Sequence, residues 1–265
     1  MAKKLGFIGA GNMAEAIIAG AIKAGETLEI IASDMDKTRL SYMAEKYSIA
    51  IAADNVEAAQ AEIVFLSIKP HIYDAVISEI KSAINPNALV VIIAAGISIA
   101  YVQERLGGKI IKAMPNTPAM VNCGMTAICS ENVNDDELAR VVKIFDSVGK
   151  TQILPERLFD VYTALAGSSP AYVFMFAEAM ADAGVRHGLS RKQALEISTQ
   201  ALLGAAKMLQ ETGEHPAVLR DAVCSPGGTT IAAVCELEKN GFKNAVISAI
   251  TACVERYNFM GDQPL

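Results

Sequence analysis

The sequence predicts an α/β fold, with a parallel sheet flanked by helices over residues 1–155 and an all-helical domain over residues 156–265. Three observations carry this. Short β-rich runs alternate with helical patterns up to Pro155, strand signals stop there, and a glycine-rich turn follows the first apolar run. In order, the first part reads as strand Leu5 to Ile8, helix Asn12 to Ala24, strand Leu28 to Ala32 and helix Asp36 to Lys46. A short helix at Asn55 to Gln60 leads to strand Ile63 to Ser67, and Pro70 starts another helix. Strands Val90 to Ala94 and Ile110 to Ala113 flank a helix at Ile99 to Leu106. Closing strands at Met125 to Cys129 and Thr151 to Leu154 surround a helix at Asp135 to Ser147. The second part reads as helices Glu156 to Gly167, Pro170 to His187, Arg191 to Thr212, Pro216 to Cys224, Thr229 to Asn240 and Phe242 to Gly261.

Composition excludes several function classes. With 52% hydrophobic and 20% charged residues the chain folds, and a net charge of −6 argues against nucleic acid or an anionic membrane as partner. No stretch reaches the ~18 uncharged apolar residues of a membrane span. Glycines interrupt the apolar run behind Lys3 and Lys4 too early for a secretory segment. Cys123, Cys129, Cys224, Cys235 and Cys253 form no CxxC pair, and His71, His187 and His215 are scattered. These spacings predict reduced thiols, a cytoplasmic protein and no metal site.

Gly9-Ala10-Gly11-Asn12-Met13-Ala14 lies between the first strand and the first helix, the context in which GxGxxA marks a Rossmann-like dinucleotide-binding domain. Gly9 permits the tight turn, Gly11 lets a pyrophosphate approach the backbone, and Ala14 lets the helix lie near the sheet. The end of the second strand leaves NAD and NADP both open. Asp34 suits a ribose 2′-hydroxyl, whereas Ser33, Lys37 and Arg39 suit a 2′-phosphate, and Asp34 or Asp36 reads alternatively as the cap of the next helix. Asn55, Ser67, Lys69 and Pro70 are further expected cofactor residues, with Lys69 a cation at a strand's carboxyl end that could reach a phosphate or ribose. Ala95 and Asn116 end later strands on the nicotinamide side.

Far along the chain, Ser225-Pro226-Gly227-Gly228-Thr229-Thr230 is built to hold a small anion. Proline sets the entry, two glycines expose backbone, and the N–H groups of a new helix face outward. Several C-terminal helices are apolar on more than one face, Val173 to Phe176 being a consecutive run, so a second copy of the domain is expected to cover them.

Behind the N-terminal GxGxxA, the Gly167-Ser168-Ser169-Pro170-Ala171-Tyr172 joint and the SPGGTT run resemble the pyrroline-5-carboxylate reductases over essentially the whole chain. The resemblance implies reduction of L-1-pyrroline-5-carboxylate to L-proline with NADH or NADPH, the last step of proline synthesis. It implies Thr230 as the catalytic hydroxyl on the ring nitrogen. Val223, Ser225, Gly227, Gly228 and Thr229 would bind the substrate, with Glu156 and Asp221 lining its neighbourhood. It also implies a homodimer through the helical domain, often assembled into a decamer. One departure stands out: the family's usual GSGPAY is GSSPAY here, so Ser169 adds a Cβ and a hydroxyl. Two rivals differ in testable ways. A β-hydroxyacid dehydrogenase of the same build needs a lysine on the first long helix of the second domain, and residues 167–181 contain none. A non-catalytic NAD(P)-sensing dimer has no use for a carboxylate trap.

Overall fold

A computed structural model describes residues 3–24 and 28–261. Met1, Ala2 and residues 262–265, the outer ends of the two expected domains, lie outside the described residues. The chain divides into two compact units, residues 1–167 with 253–265, and residues 168–252.

The first unit is built on an eight-stranded sheet. Its strands are β1 (Lys3–Ile8), β2 (Leu28–Ser33), β3 (Ala50–Ile51), β4 (Ile63–Leu66), β5 (Leu89–Ile92), β6 (Lys109–Pro115), β7 (Gly124–Glu131) and β8 (Gly149–Ile153), in the order β3-β2-β1-β4-β5-β6-β7-β8. Helices α1 (Asn12–Lys23), α2 (Lys37–Tyr47), α3 (Asn55–Ala58), α4 (Tyr73–Ile80), α5 (Ile99–Leu106) and α6 (Asp135–Asp146) connect them. Both faces of the sheet are covered, which explains why β4 and β5 are apolar at every position. Leu5, Phe7, Phe65 and Val91 pack on one face with Ile17, Ile18 and Phe145 of α1 and α6. Ile8, Val64, Leu66 and Val90 pack on the other with Tyr73, Ile77 and Val102 of α4 and α5. Phe7 and Phe65 stack with centroids 4.5 Å apart, and Phe145 meets Phe65 edge-on at 6.2 Å.

The sheet is not wholly parallel. β7 runs antiparallel to β6 while every other pair is parallel. The cause is the short link: a single 3-10 turn, Thr117–Val121, joins β6 to β7, and a parallel return needs a crossover of a dozen residues or more. The sequence also gives no sign of β3, a two-residue edge strand. Pro70 opens a 3-10 turn, Pro70–Ile72, ahead of α4.

The change from strands to helices falls after Ile153, but the first compact unit continues to Gly167. Phe159 and Tyr162 belong to its core, which ties the first helical residues to the sheet. The expected continuous helix from Glu156 to Gly167 is broken into a 3-10 turn Glu156–Leu158, α7 (Phe159–Tyr162) and a π-helical turn Thr163–Gly167. The Thr163 hydroxyl donates to Phe159 O at 2.6 Å within this segment.

The second unit holds α8 (Ser169–Arg186), α9 (Arg191–Thr212), α10 (Pro216–Val223), α11 (Thr229–Lys239) and the first part of α12 (Phe242–Gly261). α8 and α9 form a helical hairpin across a four-residue link. Small residues set their approach: a Cβ on Gly184 would lie 3.0 Å from the Ala194 Cβ. Ser190 closes a capping box with Gln193 at the start of α9.

Candidate active site

The parallel strands of the first unit end on one edge, and the reversal between β1 and β4 opens the crevice where such sheets hold ligands. Gly9 turns the chain there at φ +93°, a conformation side chains rarely adopt, and a Cβ on it would lie 2.5 Å from Ser67 O. Gly9 N donates to Ser33 O at 2.8 Å, which joins the glycine turn to β2. Gly11 then opens α1 with no side-chain cap, and no heavy atom lies within 4 Å of where its Cβ would stand. Asn12 and Met13 form the first turn, so its N–H groups face space fit for an anion.

The expected cofactor residues gather around this turn. Asp34 Oδ2 accepts from Ala10 N at 2.7 Å, and Asp34 Oδ1 accepts from Asp36 N at 2.9 Å. Of the two cap candidates it is Asp36 that caps α2, with its carboxylate accepting from Arg39 N at 3.0 Å. Ser33 Oγ donates to Asn55 Oδ1 at 2.7 Å. The Ser67 hydroxyl oxygen at the end of β4 is buried and has no hydrogen-bond partner, so a ligand atom is what would satisfy it. Lys69 is exposed beside Pro70, and Ala95 precedes Gly96, whose φ is +80° with open space beside it. An orphan hydroxyl, an uncapped helix start and an open glycine together fit a dinucleotide.

Asn116 is placed differently from the rest. Its amide donates to Ala166 O at 2.9 Å and accepts from Met125 N at 2.9 Å, so it clamps β6, β7 and the π-helical turn together.

In the second unit, Ser225 to Gly228 form a tight turn closed by Gly228 N donating to Ser225 O at 3.0 Å. Pro226 takes its second position and Gly227, at φ +68°, its third, as a type II turn requires. A Cβ on Gly228 would lie 2.3 Å from Ser225 Oγ, so that hydroxyl sits directly over the glycine. Gly228 opens α11 with no side-chain cap, leaving Thr229 and Thr230 on an unsealed first turn. Val223 is exposed just before it, and Asp221 accepts from both Arg220 Nε and Nη2 at 2.9 and 2.7 Å. Glu156 belongs to the first unit. Its Oε1 accepts from Lys112 Nζ at 2.9 Å and from Ile99 N at 3.0 Å, which holds the start of α5.

Relatives of known activity align with both of these ends at once. The chain is 47% identical over 262 residues to the pyrroline-5-carboxylate reductase of Escherichia coli (strain K12), covering 97% of each chain. The chain belongs to the pyrroline-5-carboxylate reductase family. A family model described as pyrroline-5-carboxylate reductase dimerisation matches residues 156–260, and one described as NADP oxidoreductase, coenzyme F420-dependent, matches residues 4–96. The pyrroline-5-carboxylate reductase of Coxiella burnetii superposes with a TM-score of 0.92 at 33% identity, covering 99% of each chain. The Plasmodium falciparum pyrroline carboxylate reductase with NADP bound gives 0.88 at 32% identity, covering 98% of each. Family membership makes this an NAD(P)H-dependent oxidoreductase with a Rossmann-like first domain.

Within that family frame, three residues matter that the sequence reading passed over. Glu15, on the first turn of α1, receives Arg39, Lys46, Tyr42 and Tyr47. Burial raises its carboxyl, but the hydrogen bonds from Arg39, Lys46 and Tyr47 outweigh that and hold it down at about 2. Glu79 accepts from Asn55 Nδ2 at 2.7 Å. Lys112 is only 3% exposed and lies 5.1 Å from the Phe159 ring centroid. A lone lysine inside Ile110-Ile111-Lys112-Ala113-Met114 was the available signal, since a buried charge requires a partner. Burial, reinforced by the Glu156 charge, pushes the nearby Cys129 thiol up to about 12, so it stays protonated and is no nucleophile.

Proposed function

We propose that the chain reduces L-1-pyrroline-5-carboxylate to L-proline, with the Ser225 to Thr230 turn as its substrate site and Thr230 as its catalytic hydroxyl. The observation that carries this is the start of α11. Six helices, α2, α3, α5, α6, α9 and α10, are sealed by the side chains of Asp36, Asp54, Ser98, Asn134, Ser190 and His215. α1 and α11 are opened by bare glycines instead, the first suited to a pyrophosphate and the second to a carboxylate. The N–H groups of Thr229 and Thr230 hold the substrate carboxylate, and Gly227 and Gly228 leave it room. Thr230 Oγ1 accepts the N–H of the protonated imine, fixing the ring so that C5 is the exposed electrophile. Reduced nicotinamide, NADH or NADPH, supplies the hydride when bound. The iminium carbon takes that hydride, the C=N π electrons become the nitrogen lone pair, and the product is a secondary amine. No histidine or metal is needed for this step. Val223 and Asp221 flank the turn, and Glu156 acts by holding the start of α5.

The helical unit is the proposed dimer interface, with decamers as the further assembly and the cytoplasm as location. The dimerisation family model over residues 156–260 and the exposed Val173 to Phe176 run support the dimer. The five free cysteines support a reducing compartment. α8 carries no lysine, which disfavours a β-hydroxyacid dehydrogenase. Kinetics with pyrroline-5-carboxylate test the whole reading. Wild-type protein is expected to oxidise NADH or NADPH in step with proline formation. Thr230→Ala is expected to lower kcat by roughly 10–100-fold, about 1.4–2.7 kcal/mol of barrier, with dinucleotide affinity unchanged. Dinucleotide binding without turnover would favour the sensing dimer instead.

A further inference from the structure

We infer that this chain selects NADH over NADPH, with Asp34 as the specificity-determining residue that accepts a free ribose 2′-hydroxyl and repels a 2′-phosphate. The inference rests on the dinucleotide reading of the α1 end and extends it. Sequence alone left the two cofactors balanced, because Ser33, Lys37 and Arg39 were available in principle to a phosphate. The structure shows what those groups are bound to.

Asp34 ends β2 beside the glycine turn and is pinned through both oxygens, by Ala10 N at 2.7 Å and Asp36 N at 2.9 Å. Pinned in this way it cannot swing aside for a phosphate. Each carboxylate oxygen still has a lone pair for a hydroxyl. An acidic side chain at this point of a Rossmann-like fold suits the unphosphorylated ribose.

Most of the surrounding cationic and hydroxyl donors are committed. Arg39 Nε donates to Ala10 O at 2.7 Å and its Nη2 to Glu15 at 2.5 Å. Lys46 is held by Glu15 and Tyr42 at 3.0 and 2.6 Å. The start of α2, a second place a phosphate could dock, is occupied by the Asp36 carboxylate. Ser33 Oγ is given to Asn55, and Asn55 Nδ2 to Glu79. Among the described residues around the end of β2, Lys37 is the cation left outside these ion pairs, exposed and 3.5 Å from Asp34 O. A 2′-phosphate carrying roughly −1.5 to −2 charge would meet Asp34, Asp36 and Glu79, with Lys37 and the exposed Lys69 beyond β4 as the cations to offset them.

Calorimetric titration of ADP-ribose and 2′-phospho-ADP-ribose tests this without turnover. Wild-type protein is expected to bind ADP-ribose tighter by on the order of 100-fold, and Asp34→Ser is expected to reduce that ratio to roughly 3-fold or less. Equal affinities in the wild type, or tighter binding of the phosphorylated compound, would overturn the inference. An Asp34→Ser protein that folds, by circular dichroism, and keeps the wild-type ratio would also overturn it. Should the wild type bind neither compound, the dinucleotide site itself fails, an outcome distinct from lost selectivity.

Discussion

The two units differ in where their apolar residues go. Every residue of the two buried clusters lies in the first unit, on the two faces of the sheet. In the second unit the buried residues are Ala181, Ala194 and Ser198, small side chains at the α8 and α9 crossing. Phe174, Met175 and Ile247 are instead 66%, 68% and 64% exposed. A sheet with helices on both faces completes its own core, whereas a few helices without a sheet have too little to bury their apolar sides against. The difference teaches that the first unit completes a core within one chain, and that the second leaves an apolar surface of the kind the proposed dimer would cover. Gly204 of α9 fits this: beyond its own helix backbone and chain neighbours, no heavy atom lies within 4 Å of its Cβ position, so that side of the helix is open within the chain.

A charge on the exposed run should break this comparison most sharply. Phe174→Glu is expected to convert dimers to monomers at micromolar concentration, measured by light scattering, because a homodimer interface desolvates its centre. Turnover should fall by roughly 100-fold or more, equivalent to about 2.7 kcal/mol of barrier. Dinucleotide binding, a property of the first unit, should persist. A variant that stays dimeric would show that Phe174 lies outside the interface.

Next in size is a change inside the first unit. Lys112→Met removes one partner of a buried pair and leaves Glu156 Oε1 with Ile99 N alone. The loss expected is about 3 kcal/mol, the low end for such pairs because the Glu156 side chain is 30% exposed. Denaturant titration measures it. Oligomeric state should not change, in contrast to Phe174→Glu.

What was legible in the sequence follows the same division. The central strands β4 and β5 could be read from continuous apolar runs, since burial on both faces leaves them no polar positions. The start of α11 was legible because Pro226, Gly227 and Gly228 have steric signatures independent of the rest of the fold. Less could be read where long-range partners decide. Asn116 stands in a polar loop, and nothing local shows that Ala166, 50 residues away in sequence, takes its amide. β3 pairs at Ile31 and Ala32 only, too short for any periodicity to show. The direction of β7 depended on the brevity of its link to β6, which no propensity encodes. Arg39 and Asp34 gave contradictory hints on the cofactor because their partners, Glu15 and Ala10, are more than twenty residues distant.

The smallest effects offer the finest test of the comparison. Both units contain one capping box of the same design, Asn134 with Glu137 at α6 and Ser190 with Gln193 at α9. Replacing either cap with alanine removes about 1 kcal/mol of local stability. Under the proposed dimer the consequences should differ, because a unit completed by a second copy would gain stability by mass action while a self-contained one would not. Ser190→Ala should therefore lower, by roughly 4 °C, the melting step that rises with protein concentration. Asn134→Ala should lower a step that is independent of concentration. Scanning calorimetry over a hundredfold range of concentration separates the two. If both variants shift one common transition equally, the units melt together and the first does not stand alone.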